Sequence, residues 1–331
     1  MVFMKKIVLI FRKKNKHGFS IEELFHSIYI ELNKNYAVYK YEMRSFKYFF
    51  LDVINLWRLK ADIYHVTGDV HYVASVLPLG KVVLTVLDVG HLKNDLKGLK
   101  KLIFKIFWYT LPLMLSKQIT VISKKTYIDL LELFNVNKNK LSIVDCCYGS
   151  DINISLRKFN KNCPNLLQIG THRLKNIYRV VEALEGLNCV LTIIGKLDHE
   201  LKEYLIQKKI NYKNYFSISR QEILNQFSNA DIVIFISLEE GFGIPVLEAQ
   251  AAGKPLITSN IAPMSDNAGL GACLVDPRNI EEIRNAIVKI TNDENFRKKI
   301  VLDGLQNVKR FSVENITKIY SNIYEKKICN L

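Results

Sequence analysis

Nowhere in the 331 residues do about eighteen apolar residues run together, so no segment reads as a membrane-crossing helix. The opening Met1-Val-Phe-Met-Lys-Lys-Ile-Val-Leu-Ile-Phe11 has a basic pair, but its apolar core is too short for a secretory leader and lacks a cleavage site. It reads as a first strand. The six cysteines form no Cys-x-x-Cys pair and no Cys/His ligand spacing, which argues against a bound metal and against a disulfide framework. Cys189 sits in an apolar run, as suits a reducing, cytoplasmic setting. Low-complexity tracts and short-period repeats are missing too. Acidic residues are in deficit, 32 against 47 Lys and Arg, and the net charge of +15 favours anionic partners: nucleotide diphosphates, phospholipid headgroups or nucleic acid. Because the lysines are scattered over both halves and no nucleic-acid-binding motif is present, nucleic acid is not expected as a partner.

What is present is a repeated alternation. Apolar runs at Lys6–Phe11, Ala61–Val66, Lys81–Leu87, Gln118–Ser123 and Leu141–Val144 read as strands, with helical patterns at 20–32 and 124–134. The theme returns with strands at Asn165–Ile169, Cys189–Ile194, Tyr215–Ser217, Asp231–Ile236, after Pro255 and at Ala272–Val275. Helices are expected at 175–187, 198–208, 220–228 and 245–253, and near 279–291, 293–308 and 312–326. Strands alternating with helices of this length predict an α/β protein with two doubly wound, Rossmann-like parallel sheets. The expected division is 1–155, 156–310 and a terminal helix at 311–331 crossing back to the first domain, with ligands in the cleft between domains.

The densest signal is Ser237-Leu-Glu-Glu-Gly-Phe-Gly-Ile-Pro-Val-Leu-Glu248. It predicts a strand, a glycine loop and a helix opened by Pro245, whose missing N–H is not needed there. Gly241 and Gly243 remove Cβ atoms where a ligand could press on the backbone. The N–H groups of residues 243 to 246, Pro245 excepted, would point from the helix start toward an anion. Glu240 and Glu248 flank this turn and could face one pocket, where a carboxylate suits vicinal hydroxyls. Either glutamate alone also reads as an ordinary solvated or dipole-complementing residue.

This string resembles the signature of glycosyltransferase family 4, whose members are retaining, metal-independent enzymes of GT-B fold. The resemblance implies that Glu240 contacts the donor sugar, that Glu248 contacts the nucleotide ribose, and that Gly241, Phe242, Gly243 and Ile244 hold sugar and diphosphate by their backbone. Lys175 matches a lysine of the family's basic pair; the arginine's place is taken by Thr171, with Arg173 as a substitute. Gly18 stands where members carry a glycine-rich loop touching phosphate or acceptor. Members commonly have His-Asp at 87 and 88; here the pair is Leu87-Asp88, so Asp88 and His91 are the catalytic candidates of the first half.

Leu96 to Leu115 interleaves Lys97, Lys100, Lys101 and Lys105 with apolar residues at helical spacing. The pattern fits a basic amphipathic helix on an anionic membrane surface, and equally an ordinary helix with its apolar stripe on the sheet. The ordinary helix is the expectation, with attachment to the inner face of the plasma membrane kept beside it. The reading is a glycosyltransferase without cofactor, moving a sugar from a nucleotide-diphosphate sugar to a saccharide or lipid-linked saccharide acceptor in cell-surface polysaccharide assembly. The alternatives are a sugar-nucleotide epimerase of GT-B fold and, in another class, a basic nucleic-acid-binding protein.

Overall fold

The computed structural model describes residues 4–13, 20–94, 97–155 and 157–327. They form two compact units, Met1–Gly149 with Ser312–Leu331, and Ser150–Phe311. The first begins β1 (Lys6–Phe11), α1 (Ser20–Leu32), β2 (Ala37–Glu42), α2 (Phe49–Arg58), β3 (Ile63–Val66) and β4 (Val82–Val86). It continues α3 (Gly90–Asn94), α4 (Gly98–Phe104), a wide π turn (Lys105–Thr110), α5 (Leu111–Leu115), β5 (Gln118–Val121), α6 (Lys124–Leu133) and β6 (Leu141–Ile143). In the second unit come β7 (Asn165–Ile169), α7 (Ile177–Leu184), β8 (Val190–Ile194), α8 (His199–Gln207), β9 (Tyr212–Tyr215), α9 (Arg220–Asn229) and β10 (Ile232–Phe235). Then follow α10 (Ile244–Ala251), β11 (Leu256–Ser259), α11 (Met264–Ala268), β12 (Cys273–Val275), α12 (Ile280–Asn292) and α13 (Glu294–Val308); α14 (Val313–Lys327) returns to the first unit.

Each unit holds one six-stranded sheet, ordered β2-β1-β3-β4-β5-β6 and β12-β11-β10-β7-β8-β9, and every pairing is parallel. Parallel strands covered on both faces bury both sets of side chains, which is why β3, β4 and β10 are buried throughout and read as continuous apolar runs. In the second unit the sequence runs outward from β7 one way to β8 and β9, then restarts at β10 on the other side. The boundary between β7 and β10 is therefore the topological switch point, where loops leaving the two strands diverge and open a crevice.

Some expectations need correction. The strand expected at Tyr215–Ser217 is instead Tyr212–Tyr215; Ser217 has φ of 56°, a left-handed conformation that ends the strand. The helix expected from Lys175 starts at Ile177, after a 3-10 turn at Arg173–Lys175 and a left-handed Asn176. The edge strand β2 was not foreseen, because Ala-Val-Tyr-Lys-Tyr-Glu is half exposed and carries charge. The stretch 96–115 is not a simple helix with one stripe on the sheet. Tyr109, Pro112 and Leu113 pack inward, but most of its remaining apolar residues stay exposed, because there are too many for one face. Gly18 lies outside the described residues.

α14 packs on α1 and sets Tyr320 and Tyr324 beside fully buried His65 of β3. His65 Nδ1 bonds the Tyr324 hydroxyl and Nε2 bonds Thr85 Oγ1, both at 2.7 Å, so the ring is satisfied as a neutral imidazole with one donor and one acceptor. Burial holds its pKa down to about 3, and that of buried His71 down to about 4. For a histidine whose folded pKa lies below the unfolded value of 6.5, the unfolded chain binds the extra proton between the two values. The stabilisation is therefore complete above pH 6.5 and drains away as pH falls toward the folded pKa, by about 1.4 kcal/mol per pH unit per group. Both tryptophans, Trp57 and Trp108, belong to the first unit, so their fluorescence follows its unfolding. The thermal midpoint read this way should drop between about pH 7 and pH 5, and the drop should be shallower in His65→Gln; parallel curves would refute the assignment.

Candidate functional site

The loops leaving β7 and β10 at the switch point hold most of the residues singled out in the sequence. After β10, the Leu238 N–H donates to the Leu174 carbonyl at 2.8 Å and stitches the two loops together. Gly243 takes φ of 90°, a left-handed conformation strained for any residue with a side chain, and opens α10 with Pro245 in its first turn. The Phe242 ring is buried edge-on to Phe311 at 6.0 Å, and the Phe242 carbonyl accepts from Asn267 Nδ2 at 2.7 Å. Its side chain thus anchors the loop. Of the N–H groups expected to be open at 243 to 246, that of Val246 is taken up by the Gly243 carbonyl, closing the tight first turn.

Glu240 meets Lys175: Nζ donates to Glu240 Oε1 at 2.5 Å, and the ammonium also lies 4.6 Å from the centre of the Phe235 ring. The lysine reaches there across Gly170, where a Cβ would come within 2.8 Å of the Lys175 Cγ. Gly170 also sits at φ of 86°, so backbone and packing both demand glycine. Arg173, on the same turn, is exposed.

Glu248 has its own cation. Arg220, at the start of α9, donates from Nη1 to Glu248 Oε1 at 2.5 Å and grips Asp151 through Nε and Nη2 at 3.1 and 3.2 Å. Burial pushes the Glu248 carboxyl pKa up while Arg220 pulls it back. For Arg220 burial disfavours the charge, but the two carboxylates more than reverse this and raise its pKa above the ordinary value. Each of the two glutamates flanking the turn is therefore held in its own ion pair, Glu240 with Lys175 and Glu248 with Arg220. Arg220 and Asp151 were not foreseen. The only signal near them is Ser219-x-x-Glu222, which correctly announces a capping box but says nothing of where the arginine reaches.

In the first unit, Asp88 and His91 line a recess of about 490 Å3 with Arg12, Asp69, His71, Phe104, Trp108 and Tyr109. Asp88 Oδ1 accepts from the Gly90 N–H at 2.8 Å, and the His91 ring lies edge-on to Phe104 at 5.2 Å. Sequence reasoning missed His71. Pro112 cannot donate to the Trp108 carbonyl, and His71 Nδ1 does so at 3.1 Å; the proton is thereby on Nδ1 and Nε2 is the acceptor. A different cavity of about 620 Å3, at the amino ends of the second sheet near Arg157, Lys254 and Arg297, contains none of the expected residues. Among the described residues no group of three or more His, Cys, Asp or Glu is placed to hold a metal ion.

Residues 156–304 match the model of the glycosyl transferases group 1 family. The matched stretch covers most of the second unit. The O-antigen chain mannosyltransferase B of Escherichia coli is 29% identical over 116 residues, 35% of this chain and 30% of that protein. Alignments to the first four curated relatives span 30% to 63% of those proteins' lengths. A sucrose-phosphate synthase from Thermosynechococcus elongatus superposes with a TM-score of 0.77 at 14% identity, over 99% of this chain and 100% of its own. Anabaena HepE, solved in complex with UDP and glucose, gives 0.72 at 14% identity over 97% and 99%. At that identity the likeness speaks to fold, which is GT-B.

In the second unit, removing the arginine strands a buried carboxylate. Arg220→Ala should destabilise that unit by on the order of 3 kcal/mol, and adding Glu248→Gln should recover part of the loss. Calorimetry checks this, since the domain has no tryptophan; an Arg220→Ala melt equal to wild type would show that the pair contributes nothing.

Proposed function

We propose that the protein transfers a sugar from a nucleotide-diphosphate sugar to an acceptor hydroxyl with retention at the anomeric carbon and without a metal. The observation that carries this reading is the contact of Lys175 with Glu240 at the switch point of the unit that matches the group 1 transferase model. When the glycosyl bond breaks, negative charge grows on the departing diphosphate. A fixed ammonium and backbone N–H groups at the start of α10 stabilise that charge better in the transition state than in the ground state. Glu240 accepts hydrogen bonds from the sugar hydroxyls and keeps the Lys175 ammonium in place. Glu248, positioned by Arg220, accepts from the nucleotide ribose. Gly241, Gly243 and Ile244 offer backbone to the sugar and diphosphate; Arg173, exposed on the Lys175 turn, adds a cation beside them.

No covalent nucleophile is required if the acceptor oxygen attacks from the leaving-group face and gives its proton to the departing phosphate oxygen. The recess of the first unit takes the acceptor, with Asp88, His91 and the Nε2 of neutral His71 as hydrogen-bonding groups. The name of the E. coli relative supports a growing surface polysaccharide as the acceptor, and the HepE complex supports a uridine diphosphate sugar as the donor class. The epimerase alternative finds no support in the matched proteins named above.

The test is a thermal-shift screen of the full chain with UDP, GDP, ADP, CDP and dTDP at equal concentration. At about a hundred times Kd one of them should add about 2.7 kcal/mol, while the others do nothing. Glu240→Ala should abolish turnover, Lys175→Ala should lower kcat on the order of a hundredfold, and Glu248→Ala should chiefly weaken nucleotide binding. A fully active Glu240→Ala enzyme, or protection by no nucleotide, would remove the reading.

A further inference from the structure

Two neighbouring elements of the first unit, α2 and the stretch from Gly98 to Leu115, leave large apolar side chains uncovered, and neither element itself carries an exposed acid. On α2 and the turn before it, Phe46, Phe50, Ile54 and Trp57 recur at helical spacing and are exposed, Phe50 to 79%. Between Gly98 and Leu115, Leu99, Leu102, Ile103, Ile106, Phe107 and Met114 form a second exposed stripe, with Leu99 at 70% and Phe107 at 59%. The opposite side of that stretch already packs inward through Tyr109, Pro112 and Leu113, so the exposed stripe is surplus to the core.

The two elements are joined by a run of ring contacts: Phe46 to Tyr72 at 6.1 Å, Tyr72 to Trp108 at 5.0 Å, and Trp108 to Phe104 at 5.1 Å. Trp57 Nε1 also donates to the Val76 carbonyl at 2.9 Å, which ties α2 to the segment carrying Tyr72. The two elements are therefore neighbours, each with its own apolar stripe exposed.

Charge says what covers it. No acidic residue occurs between Gly98 and Leu115, whereas Lys97, Lys100 and Lys101 are interleaved with the stripe; the Lys105 ammonium lies 5.2 Å from the centre of the Phe134 ring. On α2 the single acid, Asp52, is fully buried against Arg44 and Tyr41, while Lys47 and Arg58 are exposed. Among the described residues no helix is long and apolar enough to cross a membrane. An apolar band bordered by lysines, with aromatic side chains in it, has the chemistry of a surface that lies in the headgroup region of an anionic bilayer. We infer that this face of the first unit docks on an anionic lipid surface, with the aromatic and aliphatic side chains inserted and the lysines on the headgroups. Phe104 and Trp108, on the inner side of the same stretch, line the recess containing Asp88 and His91, so docking would set that recess beside the lipid. This last consequence rests on the acceptor assignment above; the docking itself does not.

The experiment is co-sedimentation of the full chain with vesicles of phosphatidylcholine alone or mixed with phosphatidylglycerol, in parallel with sedimentation velocity of the protein without lipid. Binding is expected to the mixed vesicles only, to fall with salt, and to shift Trp57 emission to shorter wavelength, a shift absent in Trp57→Phe. Lys100→Glu/Lys101→Glu should weaken binding at least about tenfold, since each lysine near such a surface contributes about fivefold. Phe50→Ser and Phe107→Ser, on separate helices, should each weaken it with melting unchanged. No binding by the wild type, binding indifferent to these substitutions, or a stable dimer that Phe107→Ser dissociates in a protein that ignores vesicles would overturn the inference. Vesicle binding does not depend on turnover, so a protein that binds lipid but transfers no sugar would lose only the catalytic reading.

Discussion

The contact of Lys175 with Glu240 can form only because β7 and β10 are hydrogen-bonded neighbours whose connections leave in opposite directions. Nothing local in the sequence brings the two residues together; they are far apart along the chain and meet through the strand order. The same arrangement explains the glycines. Gly170 must clear a path for the lysine stem, and Gly243 must turn the β10 loop sharply into α10. Both take left-handed backbone angles, so at each position the lack of a side chain serves conformation, and at Gly170 it serves close approach as well. The Leu238 N–H bond to the Leu174 carbonyl ties together the two loops that carry these opposite charges.

The second acidic residue is held by different physics. Glu248 lies on a helix whose side chains are buried from Val246 to Ala251, so its carboxylate is taken out of water by the fold itself. A charge in that position requires a partner, and Arg220 fills the need while sharing its remaining donors with Asp151. Such a network rarely adds net stability over an apolar replacement, because desolvation of the ions offsets their attraction. Its place in the middle of an apolar helix suits the ribose-accepting role proposed above for Glu248. Arg220 is bidentate to Asp151 through Nε and Nη2, which orients its guanidinium more tightly than a lysine ammonium would be.

The strands were the most legible part of the sequence, because buried parallel strands leave uninterrupted β-branched runs such as Ile232–Phe235. The start of α9 was legible too, expected at residue 220 and found at Arg220. What could not be read were features decided across the fold. Arg220 looks like any first-turn residue until α9 is placed beside α10. His71 becomes noteworthy only because a proline forty-one residues later leaves a carbonyl for it to satisfy. Tyr215–Ser217 was misplaced because short, charged edge strands carry little hydrophobic periodicity, and β2 was overlooked on the same ground. The pairing of the two glutamates in the glycine-loop string was not legible, since neither Lys175 nor Arg220 is near it in sequence.

The stretch from Gly98 to Leu115 shows a limit of periodicity itself. A helix with one apolar stripe can be oriented from sequence, whereas one with apolar residues nearly all round is ordinarily buried. Here the π turn at Lys105–Thr110 and Pro112 adjust the register, so that Tyr109 and Leu113 face the sheet while Leu99, Leu102 and Phe107 face away. The lysines rule out a fully buried helix, because none of them has an acid within the stretch to pair with. A soluble protein that left so much contiguous apolar surface open would tend to self-associate. The basic residues among those side chains oppose contact with a second, equally basic copy and favour an anionic one. Charge and hydrophobicity are thus satisfied together by a lipid headgroup layer, and by neither bulk water nor the protein's own core.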